Sequence, residues 1–119
     1  KLFKLAVFNL FTYNRDDHAK NFSFMLDEKN SWKLTPAYDL TFSYGVGAEH
    51  STTYMGEGKN PTVNHLEKLA LKHGIKEFKL VIDEVKSAIL EFERFAKEVE
   101  LPKQEILNLN KIFERDLKR

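Results

Sequence analysis

The sequence predicts an α+β fold, mostly α, in which a small β-hairpin sits among helices. Three observations carry this. Residues Phe78, Val81, Ile82, Val85, Ala88, Ile89, Phe92, Phe95, Ala96 and Val99 keep to one helical stripe for six turns. At Phe22 the apolar period drops to two, with Phe22, Phe24 and Leu26 alternating with Ser23 and Met25. The opening segment "KLFKLAVFNLFTYN" has apolar groups around most of a helical circumference, the pattern of a helix buried inside a larger body.

Taken in order, residues 1–13 form that buried helix, and "NRDDHAKN" follows as a polar loop. The alternating run from Phe22 pairs across "DEKN" with "SWKLT", whose Trp32 and Leu34 share a face, to give the hairpin. Pro36 limits further ladder pairing, so "PAYDL" leaves Asp39 in a loop or at a strand end. Gly45, Gly47, Gly56 and Gly58 surround "HSTTYM", which reads as a loop, a short strand and a turn. In "NHLEKLALKHG", Asn64 is the expected N-cap, with Glu67 at capping-box spacing and Gly74 just past the end. The Phe-rich stripe then runs as one helix. Pro102 suits the first turn of a last helix carrying Ile106, Leu109, Ile112, Phe113 and Leu117, whose basic end complements the helix dipole.

At 119 residues, with 42% hydrophobic residues and ten Phe, the chain can bury a core of its own. Lys and Arg number 19 against 18 Asp and Glu, so no overall field attracts nucleic acid or membrane, and a ligand must be recognised locally. The basic residues Lys111, Arg115, Lys118 and Arg119 are interrupted by Glu114 and Asp116 and read as a solvated face. There is no Cys, which excludes disulfides and thiolate metal sites and fits a reducing compartment, so cytoplasm is the expectation. No apolar run approaches the roughly 18 residues of a membrane span. His50, His65 and His73 lack the spacing of a zinc site. Lys1 is not Met and a helical pattern is already under way there, so we expect a piece of a longer chain. No internal repeat divides it: 1–119 reads as one unit, with the polar loops and hairpin in 1–45 and a mainly helical part in 46–119.

The polar loop holds two adjacent carboxylates, an imidazole, an ammonium and an amide, a cluster that gives folding no apolar burial. Asn and Asp in such loops also bond their own backbone, so a C-cap and turn would use the same residues. The chemistry fits more. Mg²⁺ takes one or two carboxylate or amide oxygens and fills its shell with water and substrate phosphate. Asn21 and Asp39 supply such oxygens, Asp16 or Asp17 is then left to accept a proton, and His18 and Lys20 supply positive charge for phosphate. Spacing separates the two readings, because protein kinases carry a catalytic Asp, an Asn five residues later, and an Asp beyond a short hairpin. Asp16, Asn21 and Asp39 follow that order.

The stretches "DDHAKNFSF", "WKLTPAYDLT" and "HLEKLALKHGI" together resemble HipA-type serine/threonine kinases, the toxins of bacterial HipA–HipB toxin–antitoxin systems. The D-x-H-x-x-N core is also similar to that of phosphoinositide-kinase-like enzymes. The resemblance covers nearly the whole chain and is strongest from Phe8 to Phe42. It implies the helical C-lobe of such a kinase, with Asp16 as catalytic base and Asn21 and Asp39 as Mg²⁺ ligands. It implies that His18, Lys20 and Tyr38 line bound ATP with them, and that Asp17 occupies a variable position. Phe22, Phe24 and Trp32 are expected as core beneath the site.

The implied activity is transfer of the ATP γ-phosphoryl group to Ser or Thr of a protein. For members with known targets that protein is an aminoacyl-tRNA synthetase, and its loss halts translation and favours persistence. The implied partner is a HipB-like DNA-binding antitoxin. No Gly-rich phosphate loop with a strand-borne Lys precedes Asp16, so a lobe that clamps the nucleotide is expected outside these residues, and the segment alone is expected to be inactive. Two other readings use the same residues: a non-catalytic lobe that binds a partner, and a metal-dependent phosphohydrolase, which requires a further ligand cluster.

Overall fold

The computed structural model describes residues 1–117. Helix α1 (Leu2–Phe11) is followed by a short 3₁₀ turn at Ala19–Asn21 and the antiparallel strands β1 (Phe24–Leu26) and β2 (Trp32–Leu34). A long irregular segment then leads to α2 (Val63–Lys72), α3 (Phe78–Leu90), α4 (Phe92–Glu98) and α5 (Lys103–Leu117). The fold is therefore α+β and mostly helical, as the periodicities require. The last two basic residues of the anticipated solvated tail, Lys118 and Arg119, lie outside the described residues.

The core is where the helical stripes converge. Phe3, Val7, Leu10 and Phe11 of α1 meet Phe78, Ile82, Val85 and Ile89 of α3, with Leu66 and Ala70 from α2 and Phe113 from α5 closing the sides. Tyr54 joins them from the irregular segment, its hydroxyl donating to the Ala6 carbonyl at 3.0 Å. Leu2 and Lys4 of α1 remain exposed, so the helix is buried on one side rather than all round.

Three helices stop in the same way. At each end a residue takes left-handed backbone, and the next N–H reaches back five residues to a carbonyl the helix leaves free. Gly74 does this after α2, at φ 66°, with Ile75 N donating to Ala70 O at 2.9 Å, as its expected place past the helix predicts. Glu100 does so after α4, with Leu101 N on Ala96 O. After α1 the residue is Tyr13, at φ 55°, with Asn14 N on Asn9 O. A side chain with a Cβ is disfavoured there by about 1–2 kcal/mol. Tyr13 is held nonetheless: its hydroxyl bonds the Asp116 carboxylate and accepts from Arg115 Nη2 at 2.8 Å, and its ring meets Phe42.

The geometry corrects further sequence expectations, four of them in the helices and the hairpin. The N-cap of α2 is Thr62, not Asn64, and His65 takes the role expected of Glu67: the Thr62 N–H donates to His65 Nδ1 at 3.1 Å. The 78–99 stripe is two helices, interrupted at Glu91, whose N–H turns to Ala88 O; the bend sends Phe92 edge-on to Phe113 while Phe95 and Val99 point to solvent. Pro102 stands just ahead of α5 and contributes its carbonyl to Ile106 N. The fourth concerns the hairpin. Phe24 pairs with Leu34 and Leu26 with Trp32, giving the expected shared face, but that face is open: Trp32 is 72% exposed and Phe24 56%. Neither is core beneath the site, and Phe22 is only half-buried.

Candidate functional site

Residues 15–18 have no regular secondary structure between the bridge at Asn14 and the 3₁₀ turn. The two adjacent carboxylates part company there. Asp16 projects into solvent, while Asp17 is 2% exposed. Of the pair that composition left open as proton acceptor, only Asp16 is within reach of an incoming group.

The run from Asp16 to Asn21 closes on itself. The Asn21 side-chain N–H donates to the Asp16 carbonyl oxygen at 2.6 Å, and Asn21 N donates to His18 O at 2.9 Å through the 3₁₀ turn. With its amide nitrogen so engaged, Asn21 has its Oδ1 left as the donor atom for a cation. His18 Nε2 stands 3.6 Å from Asp16 Oδ1, and its buried Nδ1 has no partner among the described residues. Lys20 is exposed.

The hairpin returns the chain to this loop. Asp27 builds its turn, accepting Lys29 N and Ser31 N at 2.8 and 2.9 Å and pairing with Lys33; these bonds, that of Ser31 foremost, hold its carboxyl below the usual carboxylate range. Beyond β2, the Tyr38 hydroxyl donates to the Lys20 carbonyl at 2.7 Å and lies 2.6 Å from Ser23 Oγ. Tyr38 thus ties the segment carrying Asp39 to the segment carrying Asn21, and only its ring is left for a ligand. Asp39 is exposed on left-handed backbone, at φ 53°. Asn21, half-buried, and Asp39, exposed, carry the two candidate oxygens on segments that Tyr38 joins. Among the described residues no group of three or more His, Cys, Asp or Glu could hold a metal ion, so a closed cage of that kind is absent there.

The irregular segment 43–58 supplies what sequence reasoning missed. Ser43 N donates to Tyr13 O at 2.8 Å, and Arg15 N donates to Ser43 O at 3.4 Å. Ser51 N and Ser51 Oγ both donate to Arg15 O, at 3.0 and 3.2 Å. Asp17, expected from the resemblance to occupy a variable position, accepts from Thr52 N on Oδ1 at 3.0 Å and meets His50 Nδ1 on Oδ2 at 2.8 Å, while its carbonyl accepts from Thr52 Oγ1 at 2.5 Å. His50 is buried edge-on against Tyr54. Gly45 allows the segment its approach: a Cβ there would lie 2.1 Å from Glu49 O and 2.8 Å from the Arg15 Cβ. The guanidinium of Arg15 lies over the Tyr13 ring, 4.7 Å from its centroid.

Residues 1–100 match the family model of the HipA-like C-terminal domain. The chain belongs to the HipA-like C-terminal domain family. No curated protein and no solved structure matches it. No helix among the described residues is long and apolar enough to cross a membrane.

Proposed function

We propose that this domain supplies the catalytic and metal-binding half of a Ser/Thr protein kinase, the toxin of a HipA–HipB-like toxin–antitoxin system. The observation that carries the reading is the folding of the D-x-H-x-x-N run, which leaves the Asp16 carboxylate in solvent and bonds Asn21 back to the Asp16 carbonyl at 2.6 Å. In phosphoryl transfer the acceptor hydroxyl oxygen forms a bond to the γ-phosphorus as the bond to the β-bridging oxygen breaks, and ADP leaves with that electron pair. Asp16 takes the proton from the hydroxyl. His18 and Lys20, on the same loop, present positive or proton-donating groups to the phosphate oxygens.

The donor set of Asn21 Oδ1 and the Asp39 carboxylate fits Mg²⁺, which keeps several waters and binds through one or two protein oxygens plus phosphate. When bound, Mg²⁺ neutralises charge on the β- and γ-phosphates. Tyr38 keeps the two ligand-bearing segments together through Lys20 and Ser23. The grip on adenine and the triphosphate belongs to another lobe of the HipA-like protein, because β1 and β2 are joined by the Asp27 turn and not by a Gly-rich loop. In the intact cytoplasmic protein the acceptor is a protein hydroxyl, an aminoacyl-tRNA synthetase being the leading candidate, and a HipB-like DNA-binding antitoxin is the partner.

The test is Asp16→Asn in the intact HipA-like protein, followed as total label leaving γ-labelled ATP, to protein or to water, in a single turnover. Loss of the proton acceptor is expected to slow transfer by about 10²–10⁴-fold with nucleotide binding retained. An unchanged rate would remove Asp16 from the mechanism. A second reading, a non-catalytic lobe that binds a partner, draws on the exposed hairpin face, which continues into an apolar groove lined by Leu5, Phe8, Leu34, Pro36 and Leu40. It predicts no label transfer from the wild-type protein.

A further inference from the structure

We infer that Asp17, His50 and Thr52 form a latch whose function is to aim the Asp16 carboxylate, which makes His50 and Asp17 positioning residues for phosphoryl transfer. The inference rests on the reading of Asp16 as catalytic base and adds to it a requirement at His50, 33 residues beyond Asp17.

The Asp16 side chain has almost nothing of its own to orient it. It is exposed, and its one ionic neighbour among the described residues, His18 Nε2, is 3.6 Å away. Both of its chain neighbours, by contrast, are fixed by one short segment. On one side the Arg15 carbonyl accepts from the backbone and hydroxyl of Ser51. On the other, Asp17 receives Thr52 N, Thr52 Oγ1 and His50 Nδ1, at 3.0, 2.5 and 2.8 Å. The Arg15 carbonyl fixes the peptide plane before Asp16, the Asp16 carbonyl bonded by Asn21 fixes the plane after it, and the bonds to Asp17 hold the chain just beyond, so the Cα–Cβ direction of Asp16 is set by the backbone and a solvated carboxylate is held ready without being buried. General-base catalysis requires this combination of access and aim.

The arrangement also costs more than a structural tie requires. Asp17 and His50 are both nearly inaccessible, with side chains 1% and 2% exposed, and a buried carboxylate is tolerated only when hydrogen-bonded. An apolar contact between the two segments would join them without that cost, but it would not fix the rotation of the backbone about Asp17 as three directed bonds do. His50 is itself held from behind, by His50 N on Gly58 O at 2.7 Å and by the Tyr54 ring. The latch therefore leans on the Tyr54–Glu57 turn and through it on the core.

The experiment compares His50→Leu and His50→Asn with wild type and Asp16→Asn, in the intact HipA-like protein, by single-turnover loss of label from γ-labelled ATP. Leu removes the donor to Asp17 at similar bulk; the Asn side-chain N–H occupies nearly the place of Nδ1 and restores it. We expect His50→Leu to lower the transfer rate by about 10²-fold, the scale of a small misalignment of a reacting group, with the KM for Mg²⁺-ATP little changed. His50→Asn is expected to recover most of the rate. Melting temperatures are recorded for every variant, and rates are measured well below them. Rates that fall together with melting temperature in both variants, or a folded His50→Leu that transfers at the wild-type rate, would overturn the latch. If Asp16→Asn also transfers normally, it is the assignment of the base that fails; if Asp16→Asn is inactive and His50→Leu is not, the latch alone fails.

Discussion

At the scale of single residues, the chain decides which of two adjacent carboxylates reaches solvent. Asp16 and Asp17 are equivalent in composition and adjacent in the chain, and one turns outward while the other enters a hydrogen-bonded interior. The order Asp16, Asn21, Asp39 was legible from spacing alone. The importance of Asp17 was not, because its partners lie more than thirty residues away in a segment without helical or strand period, where a single His among Ser and Thr gives no signal. Tyr54 has a similar history: "HSTTYM" suggests a short strand, whereas Tyr54 makes a single bridge with Glu57 and sends its ring into the core. Burial, with the Asp17 carboxylate nearby as a smaller cause, pushes the Tyr54 phenol well above its usual value of 10.0. The folded protein thus retains this proton at pH values where the unfolded chain loses it. Stability from this group is full below the unfolded pKa and declines as pH rises above it. Tyr54→Phe, which loses the bond to Ala6 O, is expected to be less stable than wild type by about 1 kcal/mol near neutral pH. The gap should narrow in urea titrations above the ordinary phenol pKa, and a gap independent of pH would contradict the assignment.

At the scale of elements, periodicity located the helices and the hairpin, and capping chemistry and burial were harder to see. Asn64 and Glu67 have the letters of a capping box, but Thr62 precedes them and His65 can accept from its N–H, so the helix starts earlier. The stripe through Phe95 and Val99 keeps its period across the break at Glu91, because a one-residue tightening hardly disturbs a sequence pattern while it changes which side chains meet the core. The hairpin shows the same limit from the other direction. Alternation reveals which residues share a face, Phe24, Leu26, Trp32 and Leu34, but says nothing of what covers that face. Since Trp32 is mostly exposed, Trp32→Thr should change stability by no more than about 0.5 kcal/mol. Ile89→Ala, in the packed seam of α1 and α3, should cost about 2–5 kcal/mol. Chemical denaturation of the two variants checks this, and a large loss from Trp32→Thr would mean that the face is covered within the domain.

At the scale of the whole molecule, a compact helical core holds two loops that carry the candidate site residues and one irregular segment that braces them. Polar loop and brace are both anchored where α1 ends, at Tyr13, which α5 secures through Asp116 and Arg115. The candidate site is open and offers few oxygens, which fits the proposed half-site that shares its nucleotide with another lobe. The measurement that tests this account most directly is the rate of label loss from γ-labelled ATP across a Mg²⁺ series, for Asp39→Ala and Asn21→Ala in the intact HipA-like protein. Asp39 is the only anionic member of the proposed ligand pair, and neutral Asn21 cannot by itself hold a cation that gives up water reluctantly. The account predicts a sharp fall in rate for Asp39→Ala, partial recovery at high Mg²⁺ or with Mn²⁺, and a melting temperature without nucleotide equal to or above that of wild type. Loss of folding with no metal-dependent change in rate would contradict it and leave the loop a structural turn.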